Sequence, residues 1–528
     1  MTSPAGAGSA SRGAAGAQPA AAVNPWVVAV AVMFSTLMVF LDTTVVNLSL
    51  PYIAGSLSAS IDEATWSLTS YLAANAVVLP LAGWLASQLG RRRLLMASVT
   101  SFTLASVLCG LAPNIETLVV FRVVQGLTGG VMQPLSQSVM LESFAPRDRG
   151  KAMGFWSLGI IAAPIAGPLV GGWLTEHASW RWVFFINLPV GIVGLVMLAL
   201  FVHDPPYLRS AIRRIDGWGI GMLALGIGAL QVLFDRGQED DWFDSRLMTA
   251  LLIAGLALLA AFVWRSLVIS YPVVELRAFR DRTFAVGALL SALMGLLLYG
   301  SIVLLPLLLQ TQLGYPPLAA GWIVVARAAG SMVAFPIAGV LTERIDPRRL
   351  LAVGLVLGAI TMFWFATLDR NLGARDLFWP QVIQGIALGL LFVPLTTVTM
   401  SAIPREQMGN ASSLFNVVRN LGSSVGIAIV STLLTRGQIR HRALLAERAS
   451  ELEPWAAARL EAAGDRLALA LGGGLAEAGE TARFAAGRVL AQQAGMLAFL
   501  DSFRFLGWVF VAMLPLVLLL RRPELEDV

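Results

Sequence analysis

Long apolar runs, separated by short polar or Pro/Gly-rich turns, fill most of this chain. Each run is about 20 residues long, which is the length that a helix needs to cross a bilayer core of roughly 30 Å. The pattern predicts about fourteen membrane-spanning helices. Their approximate centres are Phe40, Val77, Ser101, Thr128, Ala163, Ile192, Gly226, Leu256, Leu296, Ser331, Ile360, Gly389, Ile427 and Val509.

Composition favours the same class of protein. The 528 residues are 57% hydrophobic and only 13% charged, whereas a soluble domain carries about 25% charged residues. We therefore expect an all-α polytopic membrane protein. The single cysteine, Cys109, excludes an intramolecular disulfide and a cysteine metal cage. The sequence has no G-x-x-x-x-G-K-[ST] phosphate loop, so this chain is not expected to use ATP.

Basic residues indicate how the helices are oriented. With an even number of spans and the N-terminus inside, the arginine clusters within 91–93, 147–151, 209–214 and 344–349 fall on the cytoplasmic side. Cytoplasmic loops of membrane proteins are enriched in Lys and Arg. Both termini are then cytoplasmic. The short outside loops hold only Arg181, Arg236, Arg246, Arg370 and Arg375.

An internal repeat divides the chain into two related halves. Val77–Leu95 aligns without gaps to Val333–Leu351, and Gln125-Gly126 recurs as Gln384-Gly385. Parallel repeats of this kind build transporters whose substrate site lies between the halves, near the midplane. The predicted organisation is a disordered cytoplasmic tail (1–24), a six-helix bundle (25–204), two inserted helices (205–275), a second six-helix bundle (276–522) containing a long periplasmic loop (436–493), and a cytoplasmic tail (523–528).

Asp42 lies deep inside the first apolar run. A carboxylate at that depth costs roughly 2.5–3.5 kcal/mol on insertion scales, and such residues usually bind protons, ions or a buried counter-charge. Arg122 lies at a similar depth in an antiparallel helix, so a pair between them, direct or through water, is expected. A movement that separates the pair would change the proton affinity of the carboxylate. The alternative is a static ion pair that only fixes helix packing.

A stripe of small residues follows in the fifth predicted helix. Ala163, Gly167 and Gly171 recur every four residues, with Pro168 and Gly172 in the same stretch. Such a face lets another helix backbone approach closely. We interpret it as a pliable seal against the other half of the chain; the alternative is ordinary helix packing.

The turn at Gly83–Arg93 and its repeat in the second half are predicted to form a cytoplasmic gate. The alternative is that their arginines only set the membrane orientation. The gate residues are Gly83, Gly90, Arg91, Arg92, Gly339, Glu343 and Arg344.

Five further polar residues are candidates for lining a central cavity: Asn47, Gln125, Gln133, Arg327 and Arg419. The two arginines would favour anionic or polar groups of a substrate, or alternatively bind helix-end carbonyls. The long loop 436–493 is interpreted either as a solvated helical hairpin or as a docking surface for a partner outside the membrane.

Three motifs resemble those of a known family. Leu41-Asp42-Thr43-Thr44 through Pro51 is similar to its first-helix motif, Arg122 through Gly126 to its fourth-helix motif, and Gly167 through Gly172 to its antiporter motif. The chain thus resembles the major facilitator superfamily, and within it the fourteen-helix drug/proton antiporters of the EmrB type. Two departures stand out: Ser87 replaces the usual acid of the gating motif, and Ala163 replaces the first glycine of the antiporter motif.

This resemblance implies proton-driven efflux of hydrophobic or amphipathic toxic compounds across the bacterial inner membrane by alternating access. Asp42 and Arg122 would couple protons to transport, with no cofactor, no metal and no enzymatic activity. The implied partners are an EmrA-like periplasmic adaptor and a TolC-like outer-membrane channel, and nucleic acid is not expected. The alternatives are an exporter of a dedicated metabolite or fatty acid, or a passive or importing carrier on the same fold.

Overall fold

The computed structural model describes residues 24–204, 216–238, 242–369, 373–401, 403–448, 462 and 475–520. Within these ranges the chain is helical and contains no β-strand. The helices are α1 (Pro25–Ser56), α2 (Ile61–Val78), α3 (Ala82–Leu89), α4 (Arg91–Gly110), α5 (Ile115–Ser143), α6 (Arg149–His177), α7 (Trp182–Phe185), α8 (Asn187–Phe201), α9 (Gly217–Arg236), α10 (Arg246–Val268), α11 (Arg282–Thr311), α12 (Pro317–Arg344), α13 (Pro347–Phe365), α14 (Ala374–Ser401), α15 (Met408–Arg448) and α16 (Leu475–Val517).

Thirteen spans in the described part of the chain are long and apolar enough to cross a membrane. Two of them join shorter helices: α2 continues through a 3₁₀ turn into α3, and α7 continues into α8. The fourteenth predicted span corresponds to α6, a 29-residue helix packed among the others. All fourteen predicted centres fall within these helices. The predicted all-α polytopic fold is therefore confirmed.

Helix packing follows the internal repeat. In the first half α1 packs on α6 and α8, and α5 packs on α2 and α4. In the second half α11 packs on α15, and α14 packs on α12 and α13. Through the internal repeat, the contact between α2 and α5 in the first half corresponds to the contact between α12 and α14 in the second half. Local sequence also sets the helix ends: Asn24 and Asn114 cap α1 and α5, and Gly90 separates α3 from α4 at φ 82°, a conformation that favours glycine.

The two inserted helices, α9 and α10, pack on each other at the edge of the junction between the halves. Helix α9 contacts α2 of the first half and α15 of the second. Ser424 donates a hydrogen bond to Gln231 at 3.1 Å, and the Arg236 guanidinium lies 4.8 Å from the centre of the Trp66 ring. The inserted pair thus contacts both halves.

Helices α15 and α16 are the longest in the structure, at 41 and 43 residues. Residues 436–448 and 475–493 of the predicted long loop are continuous with these spans as helix. Residues 449–474, apart from 462, lie outside the described residues, as do the predicted tails 1–23 and 523–528. His441 of α15 contacts Asp501 of α16 at 2.7 Å.

Candidate functional site

Asp42 and Arg122 are in direct contact in the interior of the first half. Arg122 Nη1 lies 2.5 Å from Asp42 Oδ2, and both side chains are completely buried. The residues come from α1 and α5, which pack side by side. The structure thus brings the pair together without an intervening water, which was one of the two arrangements expected from the sequence.

Asp42 accepts two further hydrogen bonds. Gln125 Nε2 donates to Asp42 Oδ1 at 2.8 Å, and Asn187 Nδ2 donates to the same oxygen at 3.0 Å. Asn187 also donates to the Ser106 hydroxyl at 3.0 Å. Sequence reasoning did not select Asn187 as a site residue. The signal in the sequence was an amide side chain inside an apolar span. Gln125, expected to line a cavity, instead belongs to this buried network.

Arg122 is held from several directions. Its Nε donates to the backbone carbonyl of Ser67 at 3.0 Å, its Nη1 also donates to Gln125 Oε1 at 2.8 Å, and its guanidinium lies 4.1 Å from the centre of the Tyr71 ring. Helices α1, α2, α5 and α8 therefore all contribute to one network. Removing one partner of such a buried pair costs about 3–5 kcal/mol, since the other charge is left uncompensated.

The glycine stripe of α6 packs against α1 of its own half in this arrangement, and not against the second half as the predicted seal would require. A Cβ atom on Gly167 would lie 2.6 Å from Thr44 Cγ2, and one on Gly171 would lie 2.7 Å from Val45 Cγ1. Both partners belong to α1, two and three residues after Asp42. Small residues indicated a close approach but not which helix approaches. Ala163 is buried in the same interface, and Pro168 and Gly172 lie in the same helix.

The two halves instead meet through four glycines, which we call the glycine seam: Gly83, Gly150, Gly339 and Gly409. A Cβ atom on Gly83 would lie 2.9 Å from the carbonyl carbon of Gly409, and the Gly83 N–H donates to the Ser413 hydroxyl at 3.0 Å. A Cβ atom on Gly339 would lie 2.7 Å from the Gly150 carbonyl oxygen. All four lie on the membrane side where α1 begins, and there the halves are closed. Gly150 and Gly409 were not selected from the sequence.

Charged residues flank the seam. Arg91 forms a buried ion pair with Glu142 of α5, and Lys151 of α6 contacts Glu343 of α12 at 2.7 Å across the halves. Ser87, which replaces the usual acid, donates to the Trp84 carbonyl within its own helix. Arg344 is exposed.

Two other gate residues bind the end of α8 and the residues after it. Arg92 donates through its side chain to the Ala199 carbonyl and through its N–H to Asp204 at 2.8 Å. A Cβ atom on Gly90 would lie 2.7 Å from the Asp204 carboxylate.

A chain of side-chain hydrogen bonds also connects the two halves. Asn416 of α15 donates to Gln137 Oε1 of α5 at 2.5 Å, and Arg419 donates to Asn416 Oδ1 at 2.5 Å. Arg419 and Gln133 are buried in this structure rather than exposed to an open cavity. Asn47 is exposed near the outer end of α1. Arg327 lines a cavity within the second half, together with Gln384.

These features define a class of protein: a multi-pass membrane transporter made of two related helical bundles, with an ion-pair network inside one of them. In the described part of the chain, no three His, Cys, Asp or Glu side chains are grouped as a metal site would require. The sequence model of the Major Facilitator Superfamily matches residues 32–426. The chain belongs to the Major Facilitator Superfamily.

Two relatives are similar over most of their length. The Multidrug export protein EmrB of Escherichia coli K12 is 38% identical over 430 residues, which is 81% of this chain and 84% of that protein. The Fatty acid resistance protein FarB of Neisseria gonorrhoeae is 39% identical over 413 residues, which is 78% of this chain and 81% of that protein. The resemblance to EmrB-type exporters is thereby confirmed.

One solved structure supports the fold. The human organic anion transporter MFSD10 (TETRAN) superposes with a TM-score of 0.60 at 13% identity, covering 95% of this chain and all of that chain. At this identity the likeness concerns the fold alone.

Proposed function

We propose that this transporter exports hydrophobic and amphipathic toxic compounds in exchange for protons, by alternating access between its two bundles. Similarity to EmrB, a multidrug export protein, and to FarB, a fatty acid resistance protein, supports export of toxic compounds. The observation that carries the proton coupling is the buried network around Asp42, which gives one carboxylate three donors and no exposure.

A proton on Asp42 would change the energy of this network. The ionised carboxylate accepts from Arg122, Gln125 and Asn187; once protonated, it no longer balances the charge of Arg122. An uncompensated buried charge costs several kcal/mol. The bundle relieves this cost by moving Arg122 toward water or another acceptor, so proton binding favours a different arrangement of α1, α2, α5 and α8.

Helix α5 provides a route from this network to the closed side of the protein. It carries Arg122 and Gln125 in the network, and Gln137 and Glu142 near the seam. Arg122 and Gln137 are fifteen residues apart, about 22 Å along the helix axis. Pro134 lies between them, where a helix can bend. A shift of α5 that follows proton binding would therefore alter the contact with Asn416.

We place the chain in the bacterial inner membrane with both termini in the cytoplasm, in agreement with the distribution of arginines. The glycine seam then closes the cytoplasmic side. Each proton that enters down a membrane potential supplies roughly 2.3 kcal/mol per 100 mV. At about 1.4 kcal/mol per tenfold ratio this sustains a roughly forty-fold substrate gradient per 100 mV.

The test is uphill transport in inverted membrane vesicles with an imposed pH gradient. Wild-type protein should concentrate a fluorescent amphipathic dye, and Asp42→Asn should assemble but fail to do so. Downhill exchange of the dye, measured in the same vesicles without a gradient, is the control for a folded carrier. Uphill accumulation by Asp42→Asn would contradict the proposal.

We further propose that the extended ends of α15 and α16, with the segment between them, dock an EmrA-like periplasmic adaptor and through it a TolC-like outer-membrane channel. Replacing residues 449–474 with a Gly/Ser linker of equal length should leave vesicle transport intact and abolish the drug resistance of cells. Unchanged resistance would refute this docking role.

FarB, at 39% identity, supports a second candidate: a dedicated exporter of fatty acids. A substrate panel in the vesicle assay separates the two. A multidrug exporter transports structurally unrelated dyes, whereas a dedicated exporter transports fatty acids alone.

A further inference from the structure

The second bundle contains a cavity between α11, α12, α14 and α16 that the proton-coupling network does not use. Its walls are mostly apolar, with Leu297, Leu298 and Phe510 among them. Two of the polar residues that line this cavity are Arg327 and Gln384. Both lie ten residues from the outer ends of their helices, so they are at the same depth in the membrane.

The guanidinium of Arg327 has no counter-charge among the described residues. It makes neither an ion pair nor a side-chain hydrogen bond there, although Arg327 is half-buried. Gln381, one turn before Gln384 on α14, is completely buried, and neither its oxygen nor its nitrogen has a hydrogen-bond partner in the described part of the chain. Buried polar groups are normally paired, and unpaired ones indicate a missing partner.

The repeat shows what has changed relative to the first bundle. Gln381 and Gln384 occupy the positions of Arg122 and Gln125. Extending the gap-free alignment of α2 with α12 by six residues pairs Tyr71 with Arg327. In the first bundle the cation on α5 lies over Tyr71; in the second bundle the cation has moved to α12.

The carboxylate has not moved with it. Helix α11 takes the place of α1 and contains no Asp or Glu. The acids nearest along the other walls are Asp376 and Asp501. Asp376 accepts from the Gly373 N–H at 2.9 Å, and Asp501 contacts His441 and Arg504. Asp376 lies eight residues before Gln384, about 12 Å along α14.

We propose that this cavity binds one monovalent anionic group, with Arg327 as its counter-charge and Gln384 as a hydrogen-bond donor. The second bundle thus repeats the arrangement of the first, with the anion supplied by a ligand. An amphipathic carboxylate and a free halide share the required chemistry. The inference deepens the proposed function by naming a substrate class.

The test measures binding to the purified full chain in lipid nanodiscs. Sodium octanoate and sodium chloride are the two probes, and octanol is the neutral match for octanoate. We expect octanoate to raise the melting temperature in a saturable way, with an apparent Kd at least tenfold weaker in Arg327→Gln and retained in Arg327→Lys. Arg375→Gln removes an exposed arginine from the same bundle and is the charge-matched control.

The two probes identify the source of the anion. An Arg327-dependent shift with octanoate but not chloride assigns an amphipathic carboxylate, and one with chloride assigns a small inorganic anion; either supports the site. Equal shifts in wild type and Arg327→Gln, or no shift with either probe, would overturn it. Because binding is measured without transport, failure of proton exchange in vesicles would contradict the proposed function while leaving this result unaffected.

Discussion

Adding a single methyl group to the glycine seam should prevent the two halves from closing there. In Gly339→Ala the new Cβ would lie 2.7 Å from the Gly150 carbonyl oxygen and 3.1 Å from the Lys151 Cα. Both are backbone atoms of a helix, so neither can rotate away. The halves must separate locally for the methyl group to fit.

The expected magnitude follows from known costs of overpacking. Inserting a methyl group into a well-packed contact costs typically 1–3 kcal/mol. At about 1.4 kcal/mol per tenfold ratio, the equilibrium shifts away from the closed state by about 5- to 140-fold. Gly321→Ala is the matched control, because it lies on the same helix and its Cβ would have no atom within 4 Å.

A reporter cysteine at Thr342, which is buried close to Gly150, measures opening by its rate of maleimide labelling. The chain suits this assay, because its single cysteine, Cys109, is buried. We expect labelling of Thr342→Cys to be faster in the Gly339→Ala background and unchanged in the Gly321→Ala background. Equal labelling in both backgrounds, with monodisperse protein, would refute the role of the seam.

Three further predictions concern other contacts. Arg122→Gln leaves the Asp42 carboxylate buried without its counter-charge and should destabilise the protein by about 3–5 kcal/mol; thermal unfolding should show part of this loss recovered when Asp42→Asn is added, and no recovery would contradict the pairing. Gly167→Ala forces α6 away from α1 and should lower transport while leaving maleimide labelling of the seam unchanged; faster labelling would contradict its placement within one half. The hydrogen bond from Lys151 lowers the pKa of Asp148 below its usual value. The ionised Asp148 therefore stabilises the folded protein at any pH above the unfolded-state pKa of about 3.9. This stability is lost only as the pH falls through the lower pKa of the folded state. Asp148→Asn should therefore leave the pH dependence of transport between about pH 6 and pH 8 unchanged. A shifted pH dependence would show that the loop around Asp148 controls it.

The features that sequence predicted best are those set by length along a helix. Counting residues from the helix ends placed Asp42 and Arg122 at one depth, and the structure brings them into contact. Hydropathy placed each of its fourteen predicted centres inside a helix of the structure, because the length of a span is set by the bilayer and not by its neighbours.

The contacts that the sequence did not predict depend on which helices pack against each other. Gly167 and Gly171 indicated a close approach, but their partner is α1 and not the other half. The real seam uses Gly150, which lies at the other end of the same helix. Asn187 joins the network because α7 and α8 fold back beside α1, and its place inside an apolar span does not indicate which residue it contacts.

The central claim is that Asp42 carries the proton that is exchanged for substrate. The most direct test imposes an outward substrate gradient on proteoliposomes and follows the internal pH with a trapped dye, at matched substrate flux for each variant. Wild-type protein should move protons against the substrate flow, and Asp42→Asn should pass substrate without any pH change. A pH change of equal size in Asp42→Asn would show that another group carries the proton.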